Sequence, residues 1–321
     1  MESIGAGLPH FYPESGVAAQ VVEDAQSASI PPLHKAVFAW AEKFTRRSWE
    51  MTSEDLQVLR DAGATEKDIV HWAQRACIQT WFVMMADGGG VGLDTKEETG
   101  PVVGYDRDWY HSAEVDLLAA APGQGKAARE RNGADSIAWV DTAESSEVFT
   151  ESVANTEERY GFVPNLLRAC SLMPRFMRSH VMGLELLEQP HSTTLPPRLH
   201  ALVRGLVSNL NGCAYSAGTA RALAENLGEG EAYDKLNDNW DPGAWPDQDR
   251  VVLEFAVKAT RNAYKITAKD AQTFRDAGLT EEVYVDVLNT VAIQTSLDRL
   301  ANCLGVVLDE SPILKRVAVT E

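Results

Sequence analysis

Apolar residues recur at helical spacing in two separate stretches of the chain, positions 38–94 and positions 253–309. The two stretches pair without a gap at one constant offset, from Phe38 opposite Leu253 to Asp94 opposite Asp309. Identical residues at matched positions include Lys43/Lys258, Arg46/Arg261, Asp55/Asp270, the block Arg60-Asp61-Ala62-Gly63/Arg275-Asp276-Ala277-Gly278 and Ile78-Gln79-Thr80/Ile293-Gln294-Thr295. A constant internal offset is typical of a duplicated structural unit, so we predict an internal repeat.

Each copy of the repeat is predicted to form three helices. In both copies a threonine precedes an aspartate by three positions, the spacing of a capping box that starts the middle helix. A glycine then supplies the left-handed residue that ends this helix, and a second threonine caps the third helix. These residues are Thr52, Gly63 and Thr65 in the first copy and Thr267, Gly278 and Thr280 in the second.

The third predicted helix of each copy has apolar residues close to helical spacing, so we expect it to bury one face. The residues are Ile69, Trp72, Ala76, Ile78, Phe82 and Met85 in the first copy and Val283, Val287, Val291, Leu297, Leu300 and Leu304 in the second. Signals for β-strands are weak throughout the chain. The pattern therefore predicts an all-α protein.

The pattern also divides the chain into segments. We predict an N-terminal segment over 1–32, the first helical repeat over 33–95, a connector rich in glycine, proline and charge over 96–147, a second domain over 148–312 and a tail over 313–321. A Gly123-Gln124-Gly125-Lys126 sequence in the connector lacks the spacing of a phosphate-binding loop. Nucleotide binding is therefore not predicted.

The charge of the chain narrows the classes of partner. The formal net charge is −18, which repels phosphate backbones and anionic lipid surfaces. No stretch approaches the roughly 20 apolar residues of a membrane span, and the first residues lack the pattern of a signal peptide. We therefore expect a cytoplasmic protein whose partner is a small-molecule substrate or ligand, with neither nucleic acid nor membrane as a partner.

The four cysteines, Cys77, Cys170, Cys213 and Cys303, are spread singly along the chain. This spacing matches neither a disulfide framework nor a zinc site. His71 and Cys77 are too far apart in sequence to place two ligands on one helix face at a spacing of three or four. We expect no metal and no cofactor.

Two motifs in the second half of the chain occur in a characteristic order. The first is Tyr-Gly-Phe-Val-Pro-Asn-Leu at positions 160–166, and the second is Leu-Asn-Gly-Cys-Ala-Tyr-Ser at positions 210–216. With them, the chain from about position 148 to the second repeat copy resembles the peroxidase-related branch of the AhpD-like, or carboxymuconolactone decarboxylase-like, family. The resemblance implies an AhpD-like helical bundle, built here from tandem or one-and-a-half units because of the repeat.

The resemblance also identifies the positions at which the family peroxidases hold their reactive groups. Those groups are a glutamate, a Cys-x-x-Cys pair and a histidine, and the matching positions here hold Ala201, Cys213, Ser216 and Ala220. A peroxidatic sulfur must form a thiolate and then a disulfide, and Ser216 can do neither. His200 lies next to the glutamate position, about 100° around a helix, so it is no simple substitute.

Cys213 follows Asn211 and Gly212, a break between two predicted helices. It is therefore expected at the start of the helix that runs to about Glu225, where free N–H groups lower a thiol pKa. Two interpretations stay open: Cys213 is a surviving nucleophile or ligand, or it is a small buried filler left from ancestry.

Three functions remain open from the sequence. The first is a repurposed small-molecule enzyme that uses acid–base chemistry in the ancestral helical pocket without a cofactor. Its candidate site residues are Cys213, Tyr215, Ser216, His200 and Arg204, with Tyr215 or Cys213 transferring a proton and Arg204 holding a substrate carboxylate. The alternatives are a non-catalytic ligand-binding or scaffold protein and an alkylhydroperoxidase-type antioxidant enzyme. The repeat further suggests a pseudo-dimer within one chain or a homo-oligomer.

Overall fold

A computed structural model describes residues 12, 16–91, 136–188, 194–238 and 241–309 of the chain. These residues form helices and turns with no β-strand among them, which confirms the predicted all-α fold. Most of the predicted connector at 96–147 and the whole tail at 313–321 lie outside the described residues. No helix in the described ranges is both long and apolar enough to cross a membrane.

The α-helices follow one another along the described ranges. Their bounds are α1 Val17–Asp24, α2 Pro32–Arg47, α3 Ser53–Asp61, α4 Glu66–Gly89, α5 Glu147–Tyr160, α6 Asn165–Ala169, α7 Pro174–Glu188, α8 Pro197–Leu210, α9 Ala214–Asn226, α10 Gly230–Asp238, α11 Asp247–Asn262, α12 Ala268–Asp276 and α13 Glu281–Leu304. Single 3₁₀ turns cover Ser48–Glu50, Pro242–Ala244 and Ala263–Lys265.

Helices α2, α3 and α4 begin and end at the same matched positions of the repeat as helices α11, α12 and α13. The local signals predicted from the sequence explain these ends. Complete capping boxes form at Thr52 and Thr267, and the hydroxyls of Thr65 and Thr280 accept hydrogen bonds from the third residue of the long helices. Gly63 and Gly278 follow the middle helices with φ of 103° and 76°. The predicted helix starts and stops are therefore confirmed.

The two long helices α4 and α13 pack against each other in antiparallel directions. Tyr284 Oη donates to Gly88 O at 2.8 Å at one end, and Arg299 Nη1 donates to Thr80 Oγ1 at 3.3 Å nearer the other. A Cβ atom at Gly88 would overlap the side chain of Leu288, so glycine permits this close approach. Trp81 Nε1 adds a 3.0 Å hydrogen bond to Asn289 Oδ1.

Helix α13 contributes residues to two apolar clusters. One cluster lies among α2–α7 and the C-terminal half of α13, and the other lies among α8–α13. Apolar burial of this extent is the main favourable term in folding. Several polar side chains of α8 and α13 are buried, and the candidate site lies among them.

The prediction of which α4 residues are buried is partly wrong. Ile69 is fully buried, but Phe82 is 55% exposed, while Ala73, Cys77 and Met84 face the interior. Because α13 lies against Thr80, Met84 and Gly88, the buried face of α4 runs through those positions rather than through Phe82. The apolar residues of α13 follow the expectation closely, with Val287, Val291, Leu297, Leu300 and Leu304 all buried.

Candidate functional site

Cys213 lies at the junction between α8 and α9. Helix α8 ends at Leu210, and Gly212 turns the chain with a φ of 60°. The backbone N–H of Cys213 then donates to Ser208 O at 2.9 Å. Cys213 is the N-cap of α9, and its sulfur accepts a hydrogen bond from the Ser216 N–H at 3.5 Å. The predicted helix start at Cys213 is confirmed, and the side chain is 1% exposed.

Ser216 connects this thiol to a buried carboxyl. The Cys213 thiol donates to Ser216 Oγ at 3.4 Å, and the Ser216 hydroxyl in turn acts on the Asp298 carboxyl of α13 by lowering its pKa. Ser216, at the position where the peroxidases that the motifs resemble hold a second cysteine, therefore lies between the thiol and the carboxyl.

Asp298 is fully buried and is surrounded by neutral donors. Ser208 Oγ and Gln294 Nε2 bind its Oδ1 at 3.0 and 2.9 Å, and Asn211 Nδ2 binds its Oδ2 at 2.9 Å. Burial raises the pKa of Asp298 from 3.8 to about 6, although these hydrogen bonds and the one from Ser216 act in the opposite direction. Asp298 can therefore take up and release a proton close to neutral pH.

Arg204 reaches this carboxyl through Gln294. Arg204 Nε donates to Gln294 Oε1 at 3.0 Å, which orients the amide so that its Nε2 donates to Asp298. The guanidinium is 3% exposed, so a positive charge is held in the protein interior. The sequence predicted that Arg204 holds a substrate carboxylate, and the structure shows that it orients the glutamine that binds Asp298.

His200 lies one turn before Arg204 on α8. Its ring is 5% exposed, and within the described part of the chain its Nε2 has no hydrogen-bond partner. Burial, together with the charge of Arg204, lowers the pKa of His200 to about 3, so the ring is neutral at physiological pH. Ala201 and Ala220, at the positions of the family glutamate and histidine, are fully buried in the apolar cluster around α8.

Tyr215 points its hydroxyl toward the segment that follows α13. Tyr215 Oη donates to Asp309 Oδ2 at 2.9 Å, and the other oxygen of Asp309 accepts from the Asn165 N–H at 2.8 Å. Burial raises the pKa of Asp309 above its ordinary value. These bonds tie the segment after α13 to α6 and α9.

The structure thus gathers Cys213, Ser216 and Arg204 around Asp298: Arg204 reaches it by hydrogen bonds through Gln294, and Cys213 is bonded to Ser216, whose hydroxyl lowers the pKa of Asp298. Sequence reasoning missed Asp298, and with it the roles of Ser208, Asn211 and Gln294. One signal was present: Asp298 is an acidic residue inside an apolar helix, and the matching position in the first copy is Val83.

The side chains of this network include a titrating carboxyl, a hydroxyl and a thiol, and a neutral imidazole lies beside it on α8. These are the groups of acid–base catalysis. The described residues contain no group of three or more histidine, cysteine, aspartate or glutamate side chains arranged to hold a metal ion.

No protein-family model matches the chain, and no curated protein matches it. Solved structures do resemble it. One is the crystal structure of an uncharacterized peroxidase-related protein from Silicibacter sp. TM1040, with a TM-score of 0.50 and 19% sequence identity. The likeness covers 56% of this chain and 96% of that protein. It shows a shared helical fold that is consistent with the AhpD-like architecture expected from the sequence motifs.

Proposed function

We propose that the chain is a small-molecule enzyme that uses acid–base chemistry without a cofactor, with Asp298 as its proton donor and acceptor. The observation that supports this most strongly is the fully buried Asp298 carboxyl, whose pKa of about 6 suits proton transfer near neutral pH. Ser216 relays the proton between Asp298 and the thiol of Cys213, the N-cap residue of α9. Arg204 is a positioning residue that acts through Gln294.

Thiol peroxidase activity is the less favoured function. Peroxide attack needs a thiolate and then a partner sulfur to close a disulfide, and Ser216 supplies no sulfur. Ala201 and Ala220 cannot accept a proton at the positions where the family peroxidases hold their glutamate and histidine. A peroxide-consumption assay with a dithiol reductant decides the matter, because turnover that is lost in Cys213→Ala would restore this function.

The substrate class proposed is a small carbonyl compound with an acidic C–H bond, such as a lactone or a β-keto acid. The decarboxylase relatives implied by the sequence motifs use this scaffold for acid–base chemistry without redox thiols. The neutral imidazole of His200, with an unpartnered Nε2 in the described region, offers a further hydrogen bond to such a substrate.

The experiment is a solvent-exchange assay. A panel of small lactones, ketones and β-keto acids is incubated with the protein in D₂O, and incorporation of deuterium at carbon is followed by NMR. Asp298→Asn and Ser216→Ala should each slow the exchange by about 100-fold, the scale of general acid–base catalysis. Asp309→Asn is the matched control, since Asp309 is a second carboxyl whose pKa burial raises, and it should leave exchange intact. Undiminished exchange in Asp298→Asn would refute the proposal.

A non-catalytic ligand-binding role is the second candidate. It is favoured by the number of protein hydrogen bonds that Asp298 already accepts, because a carboxyl satisfied in this way can serve structure alone. The same NMR experiment separates the two functions. A compound that shows line broadening with the protein but no deuterium incorporation and no conversion is a ligand rather than a substrate.

We further propose that α2–α4 take the place of a second subunit, which makes the chain a pseudo-dimer. The antiparallel contact between α4 and α13 supports this, as do two reciprocal contacts: the Ser48–Glu50 turn packs on α13 and the Ala263–Lys265 turn packs on α4. Light scattering tests the idea. A monomer mass supports the pseudo-dimer, whereas a dimer that dissociates when Gly88 is changed to alanine would contradict it.

A further inference from the structure

A thiol and an imidazole lie in contact on the other side of α13 from Asp298. Cys77 on α4 and His180 on α7 place Sγ and Nδ1 3.7 Å apart, and both side chains are buried. The side chain of Ser296 on α13 also acts on the Cys77 thiol by lowering its pKa. Ser296 precedes Asp298 by two positions, which is about 200° around a helix. The pair therefore faces α13 from a different side than the Cys213 network does, although the charge of Asp298 still acts on the Cys77 thiol.

Two polar atoms beside this pair have no partner in the described portion of the protein. One is His180 Nε2, and the other is the amide oxygen of Gln74, which lies on the same face of α4 as Cys77, one turn away. The amide nitrogen of Gln74 is bound to Cys170 O at 3.2 Å, so the side chain is held in place. An unpartnered buried polar atom destabilises the folded protein, and a bound polar molecule would offset that cost.

A cation lies close to the pair. The guanidinium of Arg299 donates to Thr80 Oγ1 at 3.3 Å, one turn along α4 from Cys77, and its charge acts on the Cys77 thiol. Around these groups the interior is apolar, since Cys77, Met177 and Val181 belong to one buried cluster. The surroundings suit an uncharged molecule with a small apolar body and a polarised oxygen.

We propose that Cys77, His180 and Arg299 form a second site, a thiol nucleophile with its base and an oxyanion-stabilising cation, which takes small uncharged esters. Cys77 Sγ bonds to the carbonyl carbon while its proton passes to His180 Nδ1, and the carbonyl electron pair moves to an oxygen that faces the Arg299 charge. The C–O bond then breaks, and the leaving alcohol takes the proton from His180. Water then adds to the thioester carbonyl carbon and gives a proton to His180. The C–S bond breaks, the sulfur takes the proton back, and the acid is released with the thiol restored.

The resting state of the pair is neutral. Burial raises the pKa of Cys77 far above its ordinary value and lowers the pKa of His180 to about 4. A thiolate–imidazolium pair is therefore not formed before the ester binds, and the proton moves as Sγ attacks. This predicts selectivity for an ester that enters the site over reagents that merely seek exposed thiolates.

The test uses p-nitrophenyl acetate and the full chain. Release of p-nitrophenolate is followed by absorbance, and the acetyl group is located among the four cysteines by peptide mass spectrometry. The expected result is acetylation at Cys77, lost in Cys77→Ser and slowed about 100-fold in His180→Gln. Arg299→Gln should also slow release, because the developing oxyanion loses its cation.

His71→Gln is the matched control, since His71 belongs to the same helix as Cys77 and packs its ring on Phe176 of α7 at 5.4 Å. Cys77 in the His71→Gln variant should be acetylated at the wild-type rate. Circular dichroism confirms that each variant folds. If His180→Gln does not fold, the position of the acetyl group in the wild-type protein still tests the proposal. Acetylation confined to lysines or to Cys170, Cys213 or Cys303 overturns it. An equal rate in folded His180→Gln overturns it as well.

Discussion

Ser208 donates a 3.0 Å hydrogen bond to the buried carboxyl of Asp298, which joins the C-terminal end of α8 to the C-terminal half of α13. A carboxyl in this position is costly to ionise because the protein interior solvates charge poorly. The neutral donors around it lower that cost, and the guanidinium of Arg204 acts on it through Gln294. The protonation state of Asp298 is therefore coupled to folding.

The first prediction concerns stability against pH. The pKa of Asp298 in the folded protein, about 6, lies above the ordinary value of 3.8, so the folded chain keeps a proton that the unfolded chain has lost. The stabilisation of the folded state that comes from this extra proton is fully present below pH 3.8 and is lost as the pH rises through about 6. Asp298→Asn carries no such titration.

The free energy of unfolding of the wild type, minus that of Asp298→Asn, should therefore fall by roughly 2 kcal/mol between pH 4 and pH 7. Urea unfolding at several pH values measures this difference. Using the difference removes the contribution of other titrating groups. A difference that stays constant across the range would show that Asp298 titrates as it does in the unfolded chain.

A second prediction compares two neighbouring glycines at the end of α4. A methyl group at Gly88 overlaps Leu288, whereas at Gly89 its nearest contact is Val91 at an ordinary 3.6 Å. Gly88→Ala should lower the free energy of unfolding by about 1–3 kcal/mol through overpacking. Gly89→Ala should be neutral or stabilising by up to about 1 kcal/mol, because alanine is the better helix former. Similar effects for both would indicate that α4 and α13 do not approach closely at Gly88.

A third prediction separates structure from chemistry at Tyr215. Tyr215→Phe removes a hydrogen bond from the partly buried carboxyl of Asp309. We expect it to destabilise the protein by about 1 kcal/mol and to leave the rate of deuterium exchange unchanged. Thermal unfolding and the NMR exchange assay measure the two effects. A large loss of exchange in a folded Tyr215→Phe protein would make Tyr215 the proton donor instead.

Local sequence signals were enough to place most helix ends. The threonine–aspartate capping boxes and the glycines after α3 and α12 act over a few positions, so their effects can be derived without knowledge of the rest of the chain. The buried face of α4 was harder to predict. Whether Phe82 or Met84 faces inward depends on where α13 lies, and helical spacing alone contains no such information.

In the candidate site, too, local motifs could be read from the sequence, whereas contacts that depend on packing could not. Cys213 and Ser216 were found because a sequence motif contains both, and they do lie in contact. Asp298 belongs to a helix much later in the sequence and reaches Ser216 only through the packing of α9 on α13. No local pattern joins an isolated aspartate to a serine so distant in sequence. The contact between Cys77 on α4 and His180 on α7 is hidden for the same reason.

The most direct test of the account is the pKa of the Asp298 carboxyl itself. Aspartate labelled with ¹³C at the carboxyl carbon allows the titration of each side chain to be followed by NMR, and Asp298→Asn identifies the resonance. The account predicts a midpoint near pH 6 for Asp298, displaced further upward in Ser216→Ala, which removes a stabilising donor. A midpoint at or below 3.8, unaffected by Ser216→Ala, would contradict it.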